Sequence, residues 1–223
     1  MQPAIRIAVI GSSTAAGQGA EPPENGWVNL YRAYLKNLNP GNEVVNLALG
    51  GQQTYQLLPT GHRPPPARPV PDPERNITKA LSYLPDAVLV NVPSNDAAAF
   101  YGATEQMRNF EAIAQAAQAA GVPVWIATTQ PRAFSPRQID IQIQVRDAIL
   151  SRYGAQALDF WSPLALPSHL PNPKLVIGDG AHLNNRGHRL LFEMVRDKNL
   201  PAAIAEWKFR RRQLTRLEPG TQL

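Results

Sequence analysis

Near its start the chain reads Ile5-Arg-Ile-Ala-Val-Ile-Gly-Ser-Ser-Thr-Ala-Ala-Gly17. A short run rich in Ile and Val, closed by Gly11, is typical of a buried parallel strand. The small polar residues that follow fall where an open α/β sheet binds its ligands, at the carboxyl end of a strand. Ser13 is therefore a candidate nucleophile. The remaining chain must then supply a base, a residue that orients the base, and donors for an oxyanion.

Strand and helix patterns alternate along the rest of the chain. Short apolar runs predict four further strands, at 43–47, 87–92, 122–127 and 155–160, the last at a sheet edge. Helical spacing of apolar residues predicts helices at 27–38, 75–84, 104–120 and 184–198. Residues 139–145 alternate as a strand would, but helical character continues to Tyr153 and a parallel sheet needs a crossover there, so a helix is predicted. The predicted fold is a three-layer α/β/α sandwich, flavodoxin-like, with a five-stranded parallel sheet in a single domain spanning 1–223.

Length and composition limit the possible classes of protein. The 223 residues suffice for one domain with a substantial core, and 43% of them are hydrophobic, as is ordinary for a globular protein. There is no apolar run near the roughly 20 residues that a membrane helix needs, so membrane insertion is not expected. The few residues before the first strand leave no room for a signal peptide. A cytoplasmic protein and a periplasmic or secreted one whose leader has been removed fit equally well. The absence of cysteine excludes disulfides and thiol catalysis.

Positive charge is concentrated in the tail at 201–223, which carries +3 of the net charge of +5. We expect an amphipathic end-piece whose Trp207 and Phe209 pack on the body of the protein. The chain lacks basic residues interleaved with aromatic ones across a face, so no nucleic-acid partner is predicted. The segment from Pro59 to Pro73 holds seven prolines and predicts an ordered surface loop. Whether this loop borders the functional site is left open by the sequence.

Four polar clusters fall at or near the ends of the predicted strands, and a parallel sheet brings such ends to one rim. They are Ser12–Ser13, Gly50–Gly51, Asn95–Asp96 and Asp179 with His182. Acyl transfer needs a hydroxyl, a general base and oxyanion donors. His182 is the candidate base and Asp179 the residue that orients it. The candidate oxyanion donors are the N–H groups of Ser13 and Gly51 and the amide of Asn95.

Each cluster taken alone has a plainer explanation. Ser12-Ser13-Thr14 by itself favours a helix N-cap or an anion-binding turn. Asn95-Asp96 alone is a turn, and Asp179-x-x-His182 alone is a loop hydrogen bond or half of a metal site. With no Cys and no His-x-x-x-His spacing, no metal site is predicted.

Other polar residues are assigned structural or surface positions. His188 is expected to be a structural or capping residue, and His62 to be exposed. Ordinary surface positions are expected for Asp140, Gln142 and Gln144.

In their order and spacing the four clusters resemble the GDSL/SGNH hydrolase superfamily. Gly11-Ser-Ser-Thr14 resembles its first block, Asn46-Leu-Ala-Leu-Gly-Gly51 its second, Ser94-Asn-Asp96 its third, and Asp179-Gly-Ala-His182 its fifth. The resemblance spans residues 5 to about 199. It implies a serine hydrolase with Ser13 as the nucleophile, Asp179 and His182 as its partners, and Ser13, Gly51 and Asn95 around the oxyanion. Ser12 stands where the family usually has Asp.

From this resemblance we expect an esterase that forms an acyl-enzyme without a cofactor. A short acyl group is favoured, namely acetyl on a carbohydrate or a similar small-molecule alcohol, because no apolar segment outside the core suggests a groove for a long chain. Trp27, Tyr55 and Phe100 are candidates to stack on a sugar, and equally candidates for core or surface positions. The alternatives are a thioesterase or lysophospholipase of the same superfamily, and a non-catalytic nucleotide- or flavin-binding α/β domain. The sequence does not determine an oligomeric state.

Overall fold

A computed structural model describes residues 3–92 and 94–217. The strands within these residues are β1 (Arg6–Gly11), β2 (Glu43–Asn46), β3 (Ala87–Asn91), β4 (Val124–Ala127) and β5 (Ala157–Leu158). They form one parallel sheet in the order β2-β1-β3-β4-β5. This is the strand order of flavodoxin-like sheets, and it confirms the predicted α/β architecture. The short strand β5 lies at an edge, as its weaker hydrophobicity predicted.

The helices of the described residues are α1 (Ser13–Ala16), α2 (Trp27–Leu38), α3 (Ile77–Ser82), α4 (Asn95–Ala98), α5 (Ala103–Ala119), α6 (Pro136–Tyr153), α7 (Asn185–Asp197) and α8 (Leu200–Leu217). Short 3-10 turns lie at Pro23–Asn25, Thr54–Leu57 and Gly154–Gln156. The ambiguous segment 139–145 lies inside α6, which confirms the helix assignment. Ser135 and Gln138 form a capping box there, and Pro136 occupies the first turn, where a missing N–H costs nothing.

The core lies on both faces of the sheet, and β1 contributes side chains to the core on each face. Ile7 and Val9 join a cluster with residues of α2, α7 and α8, whereas Ala8 and Ile10 join a second cluster with residues of α3, α5 and α6. Because side chains alternate along a strand, a run that is apolar at every position is buried on both faces. The result is the predicted three-layer arrangement, with the carboxyl ends of the strands left at one rim.

The basic tail continues as a helix to the end of the described residues. Leu200 and Ile204 are buried and Trp207 is half-buried, but Phe209 is 61% exposed. The prediction that Phe209 packs on the body is therefore wrong. Side chains at positions i and i+2 of a helix point about 200° apart around its axis, so Trp207 and Phe209 cannot both face the body. Residues 218–223 of the predicted tail lie outside the described part of the chain. Of the helices described, none has both the length and the apolar character needed to cross a bilayer.

Candidate active site

Ser13 begins a one-turn helix at the carboxyl edge of the sheet. β1 ends at Gly11, where a Cβ would lie only 2.2 Å from the carbonyl oxygen of Asn91, so only glycine permits this approach. The chain then enters α1, which ends at Gly17 with a left-handed φ of +90°. Ser13 is 7% exposed. As the first helical residue, it has an N–H without an acceptor inside the helix.

Ser13, His182 and Asp179 form one chain of hydrogen bonds. The Oγ atom of Ser13 lies 3.1 Å from Nε2 of His182. On the other side of the ring, Nδ1 of His182 lies 2.5 Å from Oδ2 of Asp179. Because an ionised carboxylate can only accept, Nδ1 carries the ring proton and Nε2 is left to accept the proton of the Ser13 hydroxyl. The three residues that the sequence singled out as nucleophile, base and orienting group are thus in contact.

The carboxyl group of Asp179 is held in its ionised form. Its Oδ1 accepts the main-chain N–H groups of Ala181 (2.9 Å) and His182 (3.0 Å). Partial burial acts to raise the pKa of Asp179, but the hydrogen bonds from the His182 N–H, the His182 ring and the Ala181 N–H outweigh it. They lower this pKa from 3.8 to about 2. Asp179 therefore carries a negative charge next to the imidazole across the physiological pH range.

The glycine turn after β2 lies beside the serine. A Cβ on Gly50 would lie 3.8 Å from the Cβ of Ser13. The next residue, Gly51, has a φ of +85°, a conformation that side chains with a Cβ rarely adopt. The predicted oxyanion donor Gly51 therefore belongs to a turn that borders Ser13.

Asn95, the first residue of α4, is bonded to the other serine. Its Nδ2 donates to Oγ of Ser12 (2.7 Å) and to the carbonyl oxygen of Gln52 (2.8 Å). Both amide hydrogens thus have acceptors, and an oxyanion formed at Ser13 would have to share one of them. Ser12 is fully buried. The contacts therefore distinguish the two serines, because Ser13 faces His182 and Ser12 faces Asn95.

A buried carboxylate ties the segment after Gly51 to α4. Asp96 is 2% exposed and accepts the main-chain N–H of Thr54 (3.0 Å) and its hydroxyl (2.5 Å). Asn109 in turn donates to that hydroxyl oxygen (2.8 Å). Burial raises the pKa of Asp96 from 3.8 to about 6, against the lowering effect of the bonds from Thr54. These bonds hold the two segments that carry Gly51 and Asn95 against each other.

The proline-rich segment 59–73 is an ordered loop that docks onto the same flank. Its Asp72 accepts a hydrogen bond from Nε2 of Gln52 (2.9 Å), the residue after Gly51. Its Arg68 forms an ion pair with Glu105 (2.5 Å) and lies over the ring of Tyr101 at 4.0 Å from the centroid. The loop thus contacts the segment that carries Gly51.

His188 supports the neighbouring turn from α7. It is fully buried, its Nδ1 accepts the main-chain N–H of Trp27 (3.4 Å), and its Nε2 donates to the carbonyl oxygen of Gln18 (3.1 Å). Burial lowers the pKa of His188, which keeps the ring neutral. This is the structural role that was predicted. His62 is exposed, also as predicted.

Two groups of residues lie elsewhere than the sequence suggested. Gln142 is fully buried in α6, so its predicted surface position is wrong. It lies next to buried Ile141 and three residues before buried Val145, on the inner face of the helix.

Of the three aromatic candidates for stacking on a sugar, Trp27 and Tyr55 are core residues, and Phe100 alone is exposed, at 50%. Among the described residues, no three side chains of His, Asp or Glu converge as metal ligands would.

Sequence reasoning missed Gln130, which follows β4 and donates from Nε2 to the carbonyl oxygen of Ala181 (2.9 Å). Ala181 lies between Asp179 and His182. The available signal was the polar run Thr128-Thr129-Gln130, which stands at the end of a strand as the other clusters do.

The chain resembles known proteins in its sequence and in its fold. A model of the GDSL-like lipase/acylhydrolase family matches residues 9–190, a range that includes every predicted site residue. Similar solved structures include the psychrotrophic esterase EstA from Pseudoalteromonas sp. (19% identity, TM-score 0.60, 86% of this chain and 95% of that one). A GDSL-like lipase from Bacteroides thetaiotaomicron VPI-5482 (18%, 0.60, 92% and 92%) and the acetyl xylan esterase AlAXEase (19%, 0.64, 86% and 98%) are also similar. Because all three identities are below 20%, these similarities establish the fold alone. No curated protein matches the chain significantly.

Proposed function

The chain belongs to the GDSL-like lipase/acylhydrolase family, and from this membership we propose that it is a serine esterase in which Ser13 is the nucleophile. The observation that carries the proposal is the chain of hydrogen bonds from Ser13 Oγ through His182 to Asp179. A hydroxyl in contact with the free nitrogen of an imidazole whose other nitrogen is bound to a carboxylate is the arrangement that activates a serine.

The reaction proceeds in two steps. Nε2 of His182 takes the hydroxyl proton as Oγ of Ser13 attacks the ester carbonyl, and the resulting imidazolium is stabilised by Asp179. The imidazolium then gives its proton to the departing alcohol, which leaves an acyl group on Ser13. Water, deprotonated by His182, attacks this acyl group and releases the acid and the free serine.

The oxyanion is stabilised by donors from three segments. The N–H groups of Ser13 and Gly51 and the amide of Asn95 are the proposed donors. Neutral donors of this kind stabilise the developing charge because they are already oriented when the charge appears. The bonds of Asn95 to Ser12 and Gln52 fix the plane of the amide, and the oxyanion shares one of its two N–H groups with these acceptors.

For the substrate we propose a short acyl ester, in particular acetyl on a carbohydrate. The similar fold of an acetyl xylan esterase is compatible with this choice. The ring of Phe100, on the turn that follows α4, is half-exposed, with the guanidinium of Arg137 over it at 5.5 Å from the centroid, and is the ring that we assign to stacking on a sugar. A thioesterase or a lysophospholipase would share the same machinery. A series of p-nitrophenyl esters from acetate to palmitate separates them, and a rate that increases with chain length would refute the acetylesterase.

A phosphate- or flavin-binding turn at Gly11–Thr14 is the alternative from a different class. It has less support, because it leaves His182 and Asp179 without a task. A yellow preparation with bound flavin would favour it. Labelling by a fluorophosphonate, located on Ser13 by mass spectrometry, would favour the esterase.

The decisive experiment compares Ser13→Ala and His182→Ala with the parent on p-nitrophenyl acetate. We expect Ser13→Ala to be inactive and His182→Ala to lose at least about a hundredfold in kcat. Ser82→Ala and His62→Ala are the matched controls, because both residues are exposed. Full activity in either Ser13→Ala or His182→Ala would overturn the proposal.

A further inference from the structure

The turn that carries Asp179 and His182 is held partly by its own bonds. Oδ1 of Asp179 accepts two N–H groups of the turn, and Ile177 donates its N–H to the carbonyl oxygen of His182 (2.8 Å). The carbonyl groups of Gly180 and Ala181 have no partner inside the turn. Since the side chain of Asp179 is 42% exposed, the turn gains little stability from being buried on that side.

Both of these carbonyl groups are bound by the segment that follows β4. The N–H of Ala133 donates to the carbonyl oxygen of Gly180 (3.0 Å). Nε2 of Gln130 donates to the carbonyl oxygen of Ala181 (2.9 Å). A backbone carbonyl that is bonded to a buried amide loses much of its freedom to rotate. The bond from Gln130 therefore fixes the peptide plane between Ala181 and His182.

Gln142 fixes the segment itself. From α6 its Nε2 donates to Oγ1 of Thr129 (2.8 Å) and to the carbonyl oxygen of Gln130 (2.7 Å). Gln130 and Gln142 are 1% and 0% exposed, so neither contact is weakened by competition with bulk water. A continuous path of buried hydrogen bonds thus leads from α6 through Gln130 to the turn with the imidazole.

We propose that Gln130, held in place by Gln142, is a positioning residue that sets the distance between Nε2 of His182 and Oγ of Ser13. Neither glutamine contacts Ser13, so the effect acts through Ala181 and the turn. The expected effect of Gln130 on catalysis rests on the proposed function. The position of the imidazole can nevertheless be observed without measuring turnover.

The test replaces each glutamine by methionine, which has a similar length and cannot donate. Gln156→Met is the matched control, because Nε2 of Gln156 donates to the carbonyl oxygen of Val124 (2.9 Å) at the opposite end of β4. For Gln130→Met we expect kcat on p-nitrophenyl acetate to fall about 10- to 100-fold with KM within about twofold, since a displacement of 1 Å in a catalytic group costs up to about 100-fold. Gln142→Met should lose less, and the double variant no more than Gln130→Met alone, because both act through one contact.

Proton NMR supplies the readout that does not depend on turnover. The short Nδ1–H bond of His182 to Asp179 should give a downfield proton signal, identified by its loss in His182→Gln. This signal should shift or broaden in Gln130→Met and stay unchanged in Gln156→Met. If the signal responds as expected while Ser13→Ala remains active, the positioning role stands and the proposed esterase mechanism fails.

The proposal is overturned if Gln130→Met keeps both its kcat and its downfield signal, or if Gln156→Met loses as much kcat. Gln130→Asn is the second variant in case the methionine variant does not fold. Its shorter amide cannot reach the carbonyl oxygen of Ala181, so it must show the same loss.

Discussion

The amide of Asn95 donates to the hydroxyl oxygen of Ser12 over 2.7 Å, so the serine that precedes the proposed nucleophile is bonded to a proposed oxyanion donor. The two residues are 83 positions apart in the sequence. Ser12 stands where the family usually has Asp, and in this contact it accepts a hydrogen bond, a role that either residue type can fill. Both a hydroxyl and a carboxylate can accept the N–H of an amide.

Ser12→Ala should lower kcat about tenfold, because the amide of Asn95 loses an acceptor that fixes its plane. Ser12→Asp restores an acceptor and should keep kcat within a few-fold of the parent. It should also lower the Tm, since the added carboxylate is fully buried. Kinetics on p-nitrophenyl acetate and thermal unfolding check both variants. Equal losses of kcat in Ser12→Ala and Ser12→Asp would contradict this role.

Asp179→Asn should reduce kcat by about 100- to 10,000-fold, because a neutral amide does not stabilise the imidazolium of His182. In the parent the pKa of Asp179 is about 2. Between pH 7 and pH 4 Asp179 should therefore stay ionised, and any fall of kcat/KM in that window should involve no proton taken up by Asp179. Asp140→Asn, at an exposed position, is the control and should leave the profile unchanged. Protonation of Asp179 within that window would contradict the prediction.

Asp96 should make the protein less stable as the pH rises. Its pKa is raised from 3.8 to about 6 in the folded state, so the folded protein keeps a proton that the unfolded chain has already released. Its stabilising effect is complete below pH 3.8 and is lost as the pH rises through about 6. The loss amounts to about 3 kcal/mol of unfolding free energy.

Urea unfolding of the parent and of Asp96→Asn between pH 4 and pH 8 measures this effect as a difference. The difference is required because His188, whose pKa burial lowers, changes stability in the opposite direction: its contribution is present above its unfolded pKa and is lost as the pH falls. Asp140→Asn again serves as the control. A difference between the parent and Asp96→Asn that does not vary with pH would refute the prediction.

Arg68→Met should release the proline-rich loop from the site. It removes the ion pair with Glu105 and the contact with Tyr101, both partly buried. We expect faster hydrogen exchange across 60–72 and a fall in kcat of a few-fold, because Asp72 in the same loop holds Gln52. Arg152→Met breaks the more exposed pair with Glu111 and should change neither quantity. Unaltered exchange in the Arg68 variant would show that Arg68 does not hold the loop in place.

Phe100→Ala should lower kcat/KM on sugar esters and leave kcat/KM on simple esters unchanged. The ring is half-exposed, so its loss removes a stacking surface and little of the core. We expect kcat/KM to fall about fivefold on acetylated xylo-oligosaccharides, in line with about 1 kcal/mol for an aromatic contact, and to be unchanged on p-nitrophenyl acetate. Phe209→Ala, at another exposed ring, is the control. Equal losses on both substrates would assign Phe100 a structural role.

The pattern of apolar residues in the sequence is informative where it matches the faces that an element buries. Ile7, Val9 and Ile10 predicted β1 because a strand buried on both sides is apolar at every position. Gln142 was assigned to the surface although the assignment of 139–145 to a helix already implied its position. With 3.6 residues per turn, it falls on the face that carries Ile141 and Val145. That error came from treating a polar residue as exposed, when its amide binds a backbone carbonyl in the interior.

By itself the sequence determined the alternation of strands and helices and the four polar clusters at strand ends, because both follow from local patterns that nearby residues set. Only the tertiary structure decided that Ser13 faces His182, 169 positions away, while Ser12 faces Asn95. Adjacent serines have the same local preferences, so the direction of each side chain depends on which distant groups the folded chain brings to it. The bond from Gln130 to the turn that carries Asp179 and His182 has the same origin, since hydrogen bonds between segments far apart in the chain leave no periodic signal in the sequence.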